Sequence, residues 1–465
     1  MDFVPSRKVD AIKARLDHPV IDSDGHAIEF VPLVLDILRE QAGAGAVAAY
    51  QGVLDSADIV RALTPGQRRE RGITRMTWWG LPARNSLDRA TAMFPALLAR
   101  RLPEMGIDHA VVYPTYGLTV TPNPDDDLRR ALARAFNTYY AEAYSEHLAE
   151  LTPVGIIPMH TPEEAIVELD HATQVLGLKA FMFGGPVSRP HPNGGTWVDS
   201  LAVDSLYDYD PVWQRCVELG VSPTFHTAAV GWGSRTSPSS YVLNHIGMFS
   251  AGGEAMARAL FLGGVPHRFP ELRVAFQEGG VAWAASLYSD LLGHWEKRNK
   301  DAVSHYDPKL LDRALIAEMA ERWAGDAMRS RLGRLDEALR FLSQPEDELV
   351  DEFAATGVTS PEHLRELFTS RFHFGCEADD PLTALAFDAQ RLPLGARLKP
   401  VFASDVGHWD VPDVREVLPE AWELVEDGLA TEDDFRDLTY GNALSLWAGS
   451  NPRFFDGTTV AITPS

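Results

Sequence analysis

Three short apolar runs, far apart in the chain, each end in residues that bind metal ions. This coincidence limits the possible folds more than any other feature. Val20-Ile21 leads into Asp22-Ser23-Asp24-Gly25-His26-Ala27-Ile28-Glu29, Pro223-Thr224-Phe225 ends on His226, and Val401-Phe402-Ala403 ends on Ser404-Asp405, with His408 just beyond. Alternate side chains of a strand share a face, so Asp22, Asp24 and His26 are expected to point the same way. Carboxylates and an imidazole at the mouth of a buried strand lose hydration unless a cation offsets the loss, and a divalent metal does so with its usual ligands. The alternative is a solvated turn after an edge strand, with Asp22 capping a helix. A parallel barrel gathers the C-terminal ends of its strands on one face, which would bring the three runs together.

The rest of the chain supports that architecture. Eight strand-like runs fall at 20–24, 110–113, 154–159, 180–183, 222–226, 273–277, 371–375 and 400–404, with helical patterns between several of them. Residues 125–151 begin with acids after Pro122 and Pro124 and read as one long helix. Thr161-Pro162-Glu163-Glu164 is a capping signal for a helix through 165–176 that stops at Gly177. Alternating strands and helices predict an α/β fold, a distorted (β/α)8 barrel. The expected organisation is a single barrel domain over 1–465, with helical insertions at about 41–101 and 290–370. A final helix is expected over 432–448.

Composition limits the partners. Forty-two basic and 66 acidic residues leave a net charge of −24, which argues against nucleic acid and anionic membranes. Cys216 and Cys376 are too few for a disulfide framework or a thiolate cluster. No signal-peptide core and no membrane-length apolar stretch is visible, so a cytoplasmic protein is expected.

The segments Ile21-Asp22-Ser23-Asp24-Gly25-His26, His226, Phe402-Ala403-Ser404-Asp405 with His408, and Gly441-Asn442-Ala443 together resemble the amidohydrolase superfamily. The similarity is to the amidohydrolase-related branch that holds aminocarboxymuconate-semialdehyde decarboxylase and the resorcylate and vanillate-type decarboxylases. The resemblance implies one divalent metal, zinc, with manganese as the alternative. Its ligands would be Asp24, His26, His226 and Asp405, with Asp405 also moving protons. Asp24 stands where the commonest version of the family has a histidine, which makes the site richer in oxygen. Glu278, in Phe276-Gln277-Glu278-Gly279-Gly280, stands where many decarboxylases of the branch carry a catalytic histidine. It could bind the metal, act as a base, or only anchor a loop.

Around this set, His408 either hydrogen-bonds the site carboxylates or caps the next helix. Asp22 reads as a buried hydrogen-bond partner, and His160 as a packed or capping residue outside the site. Trp78 and Arg84, in the segment 75–85, form either a substrate loop or a dimer contact. Tyr113, Thr115 and His245 are further candidates for contact with a small-molecule substrate. The first functional expectation is a metal-dependent hydrolase of a small amide, lactone or ring compound. The alternatives are nonoxidative decarboxylation of an aromatic or unsaturated acid, and a non-catalytic binding protein. A homodimer or larger homo-oligomer is expected.

Overall fold

The computed structural model describes residues 3–77, 83–340 and 349–460. Its ten described strands are β1 (Ile21–Ala27), β2 (His109–Pro114), β3 (Leu151–Ile157), β4 (Ala180–Phe183), β5 (Val187–Pro190), β6 (Thr196–Asp199), β7 (Pro223–Phe225), β8 (Val274–Phe276), β9 (Phe372–Glu377) and β10 (Pro400–Ala403). Eight of them form one sheet in the order β1-β2-β3-β4-β7-β8-β9-β10, every neighbouring pair parallel. Backbone bonds beyond the strand ends bring β10 back to β1: Asp405 N–H donates to Asp24 O at 3.1 Å and His26 N–H to Val406 O at 3.1 Å. The result is a nearly closed (β/α)8 barrel, and all eight expected runs became its strands.

Alternation in β7 shows how the barrel sorts its side chains. Thr224 faces the axis and receives a hydrogen bond from Tyr113 of β2 across the interior. Phe225 faces outward, 6.5 Å from Trp213 and stacked at 6.0 Å on Phe276. Phe276 in turn stacks on Phe374, so a ladder of phenylalanines seals β7, β8 and β9 against the outer helices. Burying one such ring contributes about 2–3 kcal/mol. His226, two residues beyond Thr224, returns to the axial face at the open end.

Several local expectations are corrected. Residues 187–199 form an antiparallel hairpin, β5 with β6, which the sequence pattern did not reveal. Its strands are short and partly exposed, and Gly194 and Gly195 turn the chain at φ 91° and 83°. The long helix expected over 125–151 ends at Ala143, and β3 begins at Leu151, three residues early. The helix expected through 176 is Pro162–Asp170 followed by a wider turn at His171–Val175, and Gly177 (φ 74°) ends it. The final helix divides into Glu432–Arg436 and Asn442–Ser450 around another wide turn.

Helices fill both of the long segments between strands. The first carries Val31–Ala62, broken at Gly43, then Pro65–Arg71, Ser86–Met93 and Pro95–Met105. In the second, Arg313–Trp323, Asp326–Arg329 and Leu335–Arg340 bury no residue, so they add little to the core. No described helix is long and apolar enough to cross a membrane.

Candidate metal centre

Strand β1 departs from regular register between Asp22 and Gly25, and this irregularity separates its acids. Asp22 turns into the seam between β1 and β10. Its carboxylate accepts from Asp24 N–H (3.1 Å), Ser404 N–H (3.0 Å) and Ser404 Oγ–H (2.5 Å). Burial still pushes this carboxyl up to about 6, against those three bonds. Gly25 must lack a side chain, since a Cβ would lie 2.6 Å from Asp22 Oδ2.

Asp24 and His26 point into the barrel mouth instead. His26 Nδ1 sits 3.0 Å from the Pro114 carbonyl, which can only accept, so the ring proton belongs on Nδ1 and Nε2 presents a lone pair. That Nε2 lies 3.2 Å from His226 Nε2, 3.6 Å from Asp24 Oδ1 and 3.5 Å from Asp405 Oδ1. Burial, with His408 and His226 nearby, holds the His26 ring neutral, well below its ordinary range. His226 is also lowered by burial, partly offset by Asp24. His226 Nε2 is 2.8 Å from Glu278 Oε2 and 3.9 Å from Asp24 Oδ2.

Asp24 Oδ1, both oxygens of Asp405 and Glu278 Oε2 are buried with no partner at hydrogen-bonding geometry. Burial raises Asp24, Glu278 and Asp405 well above the carboxylate range, and repulsion among these and neighbouring acids adds to it. Left as they stand, such orphaned oxygens cost several kcal/mol. A cation relieves that cost. Ligands about 2.1 Å from a tetrahedral ion stand about 3.4 Å apart, close to the 3.2–3.6 Å separations around His26 Nε2. Asp24, His26 and His226 form one candidate group that could hold a divalent ion, and His26, Asp405, Glu278 and His408 form a second that shares His26.

The backbone is strained where this set closes. Glu278 (φ 56°) and Asp405 (φ 48°) both occupy the left-handed region, at a cost of about 1–3 kcal/mol each. His408 sits over the site, its ring 3.9 Å from that of His26, with Nδ1 2.6 Å from Asp405 Oδ1 and Nε2 3.1 Å from Thr115 Oγ1. It thus lies beside a site carboxylate. Below, Tyr113 forms the floor, receiving from Gln277 Nε2 at 2.9 Å and donating to Thr224 at 2.7 Å. His245 stands in the wall with Phe249. Arg84 is exposed, and Trp78 lies outside the described residues. His160 is turned to Glu164, whose carboxylate receives its N–H.

Several contributors were missed. Glu29 accepts from the N–H groups of Thr115, Tyr116 and Gly117 and from Tyr140 Oη, and so fixes the loop that holds Thr115. It was visible only as the last acid of the first motif. Glu377 ends β9, two residues past the expected strand end. With His245, Phe249, Glu278 and Asp380 it lines a cavity of about 200 Å³ beside the candidate metal ligands.

A family description, "Amidohydrolase", matches residues 21–340, which include Asp24, His26, His226 and Glu278. The chain belongs to the amidohydrolase family. Over 156 residues it is 30% identical to a 2-amino-3-carboxymuconate-6-semialdehyde decarboxylase of Dictyostelium discoideum, a stretch that spans 34% of this amidohydrolase and 40% of that relative. An amidohydrolase of Mycobacterium avium subsp. paratuberculosis superposes with a TM-score of 0.53 at 17% identity, covering 93% of this chain and all of the other. A 2,6-dihydroxybenzoate decarboxylase from Rhizobium superposes with a TM-score of 0.50 at 14% identity, covering 92% and 98%. At those identities the solved structures speak for the fold alone.

Proposed function

We propose that this amidohydrolase is a metal-dependent, nonoxidative decarboxylase of a small planar carboxylic acid. The observation that carries the reading is the gathering of Asp24, His226 and Asp405 around His26 Nε2, beside a cavity lined by Phe249 and His245. The decarboxylase named over 156 residues supports this chemistry over hydrolysis, reversing the order expected from Glu278. Zinc is the expected ion, with manganese as the alternative.

When bound, the ion supplies a Lewis acid that holds substrate oxygens and draws charge from them. Asp24, His26 and His226 orient that group, and the Pro114 carbonyl fixes the His26 tautomer. Asp405, whose carboxyl burial and neighbouring acids raise well above the ordinary range, lies beside His26 in the same cluster. As the carbon–carboxyl bond breaks, its electron pair stays on carbon, the Asp405 proton adds there and carbon dioxide leaves. His408, bridging Thr115 and Asp405, positions that carboxyl. Phe249, edge-on to His226 at 5.0 Å, keeps water from one side.

Glu278 favours a second reading. Its buried Oε2, 2.8 Å from His226 Nε2, could take a proton from water attacking an amide or lactone. The deciding experiment loads the protein with zinc or manganese and offers aromatic and unsaturated acids, then lactones and amides in oxygen-18 water. Carbon dioxide release that stops in Asp405→Asn is expected. Label incorporation into product without carbon dioxide would replace decarboxylation by hydrolysis.

A further inference from the structure

At the end of the barrel opposite the candidate metal ligands, three neighbouring strands each start just after a cation. Arg273 precedes β8, Arg371 precedes β9 and Lys399 precedes β10. Strand register turns them to one face. Thr224, which faces the axis, pairs with Ala275, and Ala275 pairs with His373. Arg273 and Arg371 stand two residues earlier on β8 and β9, and the pairing of Phe374 with Pro400 sets Lys399 beside His373. The helix Asn442–Ser450 lies against this end. Its Ser445 Oγ accepts from Lys399 Nζ at 2.7 Å and is 3.2 Å from His373 Nε2, and a Cβ on Gly449 would lie 3.7 Å from Arg273 Nε.

No acid neutralises the group. Arg273 Nη1 donates to the carbonyls of Pro270, Glu271 and Leu272 at 3.1–3.3 Å. Arg371 ends the helix Pro361–Arg371, where peptide dipoles favour a cation. Those dipoles solvate charge without cancelling it. Glu271, Glu366 and Asp437 act on the three cations from a distance, but no ion pair joins any of the three to an acid among the described residues. Asp437 already accepts from Arg397 at 3.3 Å. Arg371 Nε is buried with no hydrogen-bond partner. Burial, with Arg273 and Arg371 nearby, lowers Lys399 to about 8, and burial lowers both arginines. His373, fully buried, is held neutral by burial, Lys399 and Arg273.

The chain as a whole carries a net charge of −24, so a half-buried group of cations without acids is the exception in it. An anion would relieve their repulsion. Two guanidinium groups offer planar forks of N–H donors and an ammonium offers a point charge, a donor set suited to the several oxygens of a dianion.

We propose that the base of the barrel, between Arg273, Arg371 and Lys399, binds a phosphate group, free or carried by a small molecule. The site is separate from the metal centre, and the inference does not depend on the decarboxylase reading.

The test is calorimetric binding of inorganic phosphate at fixed ionic strength in chloride. A saturable site is expected in the zinc-loaded wild type and again in Asp24→Ala/His226→Ala, where phosphate on the metal cannot mimic it. Arg371→Gln/Lys399→Gln should weaken that site at least roughly tenfold, with zinc content at the wild-type value. Perchlorate, a monoanion of the same shape, should bind at least roughly tenfold more weakly than phosphate. Phenyl phosphate binding more tightly than inorganic phosphate would assign a phosphate ester, and the reverse order the free ion. Loss of the site in Asp24→Ala/His226→Ala, unchanged affinity in Arg371→Gln/Lys399→Gln, or equal binding of perchlorate would overturn the proposal. A second measurement needs no variant to fold. Acetic anhydride labelling of wild type, read by mass spectrometry, should show phosphate slowing acetylation of Lys399 while exposed Lys8 is unaffected. Equal slowing of both lysines, or of neither, would refute the site.

Discussion

Asp22 offers a sharp test of how the barrel is closed. Its carboxylate accepts three hydrogen bonds across the β1–β10 seam, yet burial raises it from 3.8 to about 6. The folded protein therefore holds this proton more tightly than the unfolded chain, and binds more protons between about pH 4 and 6. Asp22 contributes stability that is fully present below about pH 4 and lost as pH rises through about 6. That rise corresponds to about 3 kcal/mol of lost stability at pH 7. Asp22→Asn keeps the shape and removes the charge. Its amide oxygen can accept from Asp24 N–H and Ser404 N–H, while its NH2 donates to a rotated Ser404 hydroxyl. In metal-free protein the variant should match or exceed wild type at pH 7, by up to about 3 kcal/mol, and lose that advantage near pH 4. Asp22→Ala instead strands three buried donors and should cost about 3 kcal/mol or more near pH 4, and less at pH 7, where wild type has itself lost the stability of the protonated carboxyl. Urea unfolding of the three proteins at pH 4, 5, 6 and 7 measures this. If Asp22→Asn were as unstable as Asp22→Ala at pH 7, the ionised carboxylate would be a source of stability there, and the burial argument would fail.

Other outcomes can be checked independently. Elemental analysis should find about one divalent ion per chain, and Asp24→Ala/His226→Ala should bind none; chelation should lower the wild-type melting temperature and leave that of the variant unchanged. Glu29→Ala frees the N–H groups of Thr115, Tyr116 and Gly117 and should cost about 2–4 kcal/mol in denaturant unfolding, with kcat falling more than KM rises because Thr115 no longer fixes His408. Tyr113→Phe removes the hydroxyl between Gln277 and Thr224 and should destabilise by about 1–3 kcal/mol, with metal content unchanged. Light scattering should give a homodimer or larger assembly, and a monomer at micromolar concentration would refute that expectation.

Much of the site was legible because its chemistry is local to strand ends. Asp24, His26, His226 and Asp405 each close an apolar run, and the strand-then-helix rhythm placed those runs in a parallel barrel. The β5–β6 hairpin escaped because its strands are half exposed and bonded only to each other, leaving little apolar alternation to detect. Glu377 escaped because β9 runs two residues past the expected strand end at 375. Alternation placed Asp22 on the face of Asp24, but the irregular register of β1 sends it to Ser404.

The sequence by itself determined which residue types stand at the strand ends, and hence that burying them together is costly unless a cation or a proton offsets their charge. Only the tertiary structure decided their company. His26 and His226, 200 residues apart, come within 3.2 Å because barrel closure brings β7 and β10 opposite and beside β1. The same closure buries Asp24, Asp405 and Glu278 together, which turns ordinary carboxylates into strongly perturbed ones. It also brings Glu377, Asp380, Phe249 and His245 to the lining of one cavity. Such a pairing depends on long-range packing, for which no local pattern in the chain carries a signal.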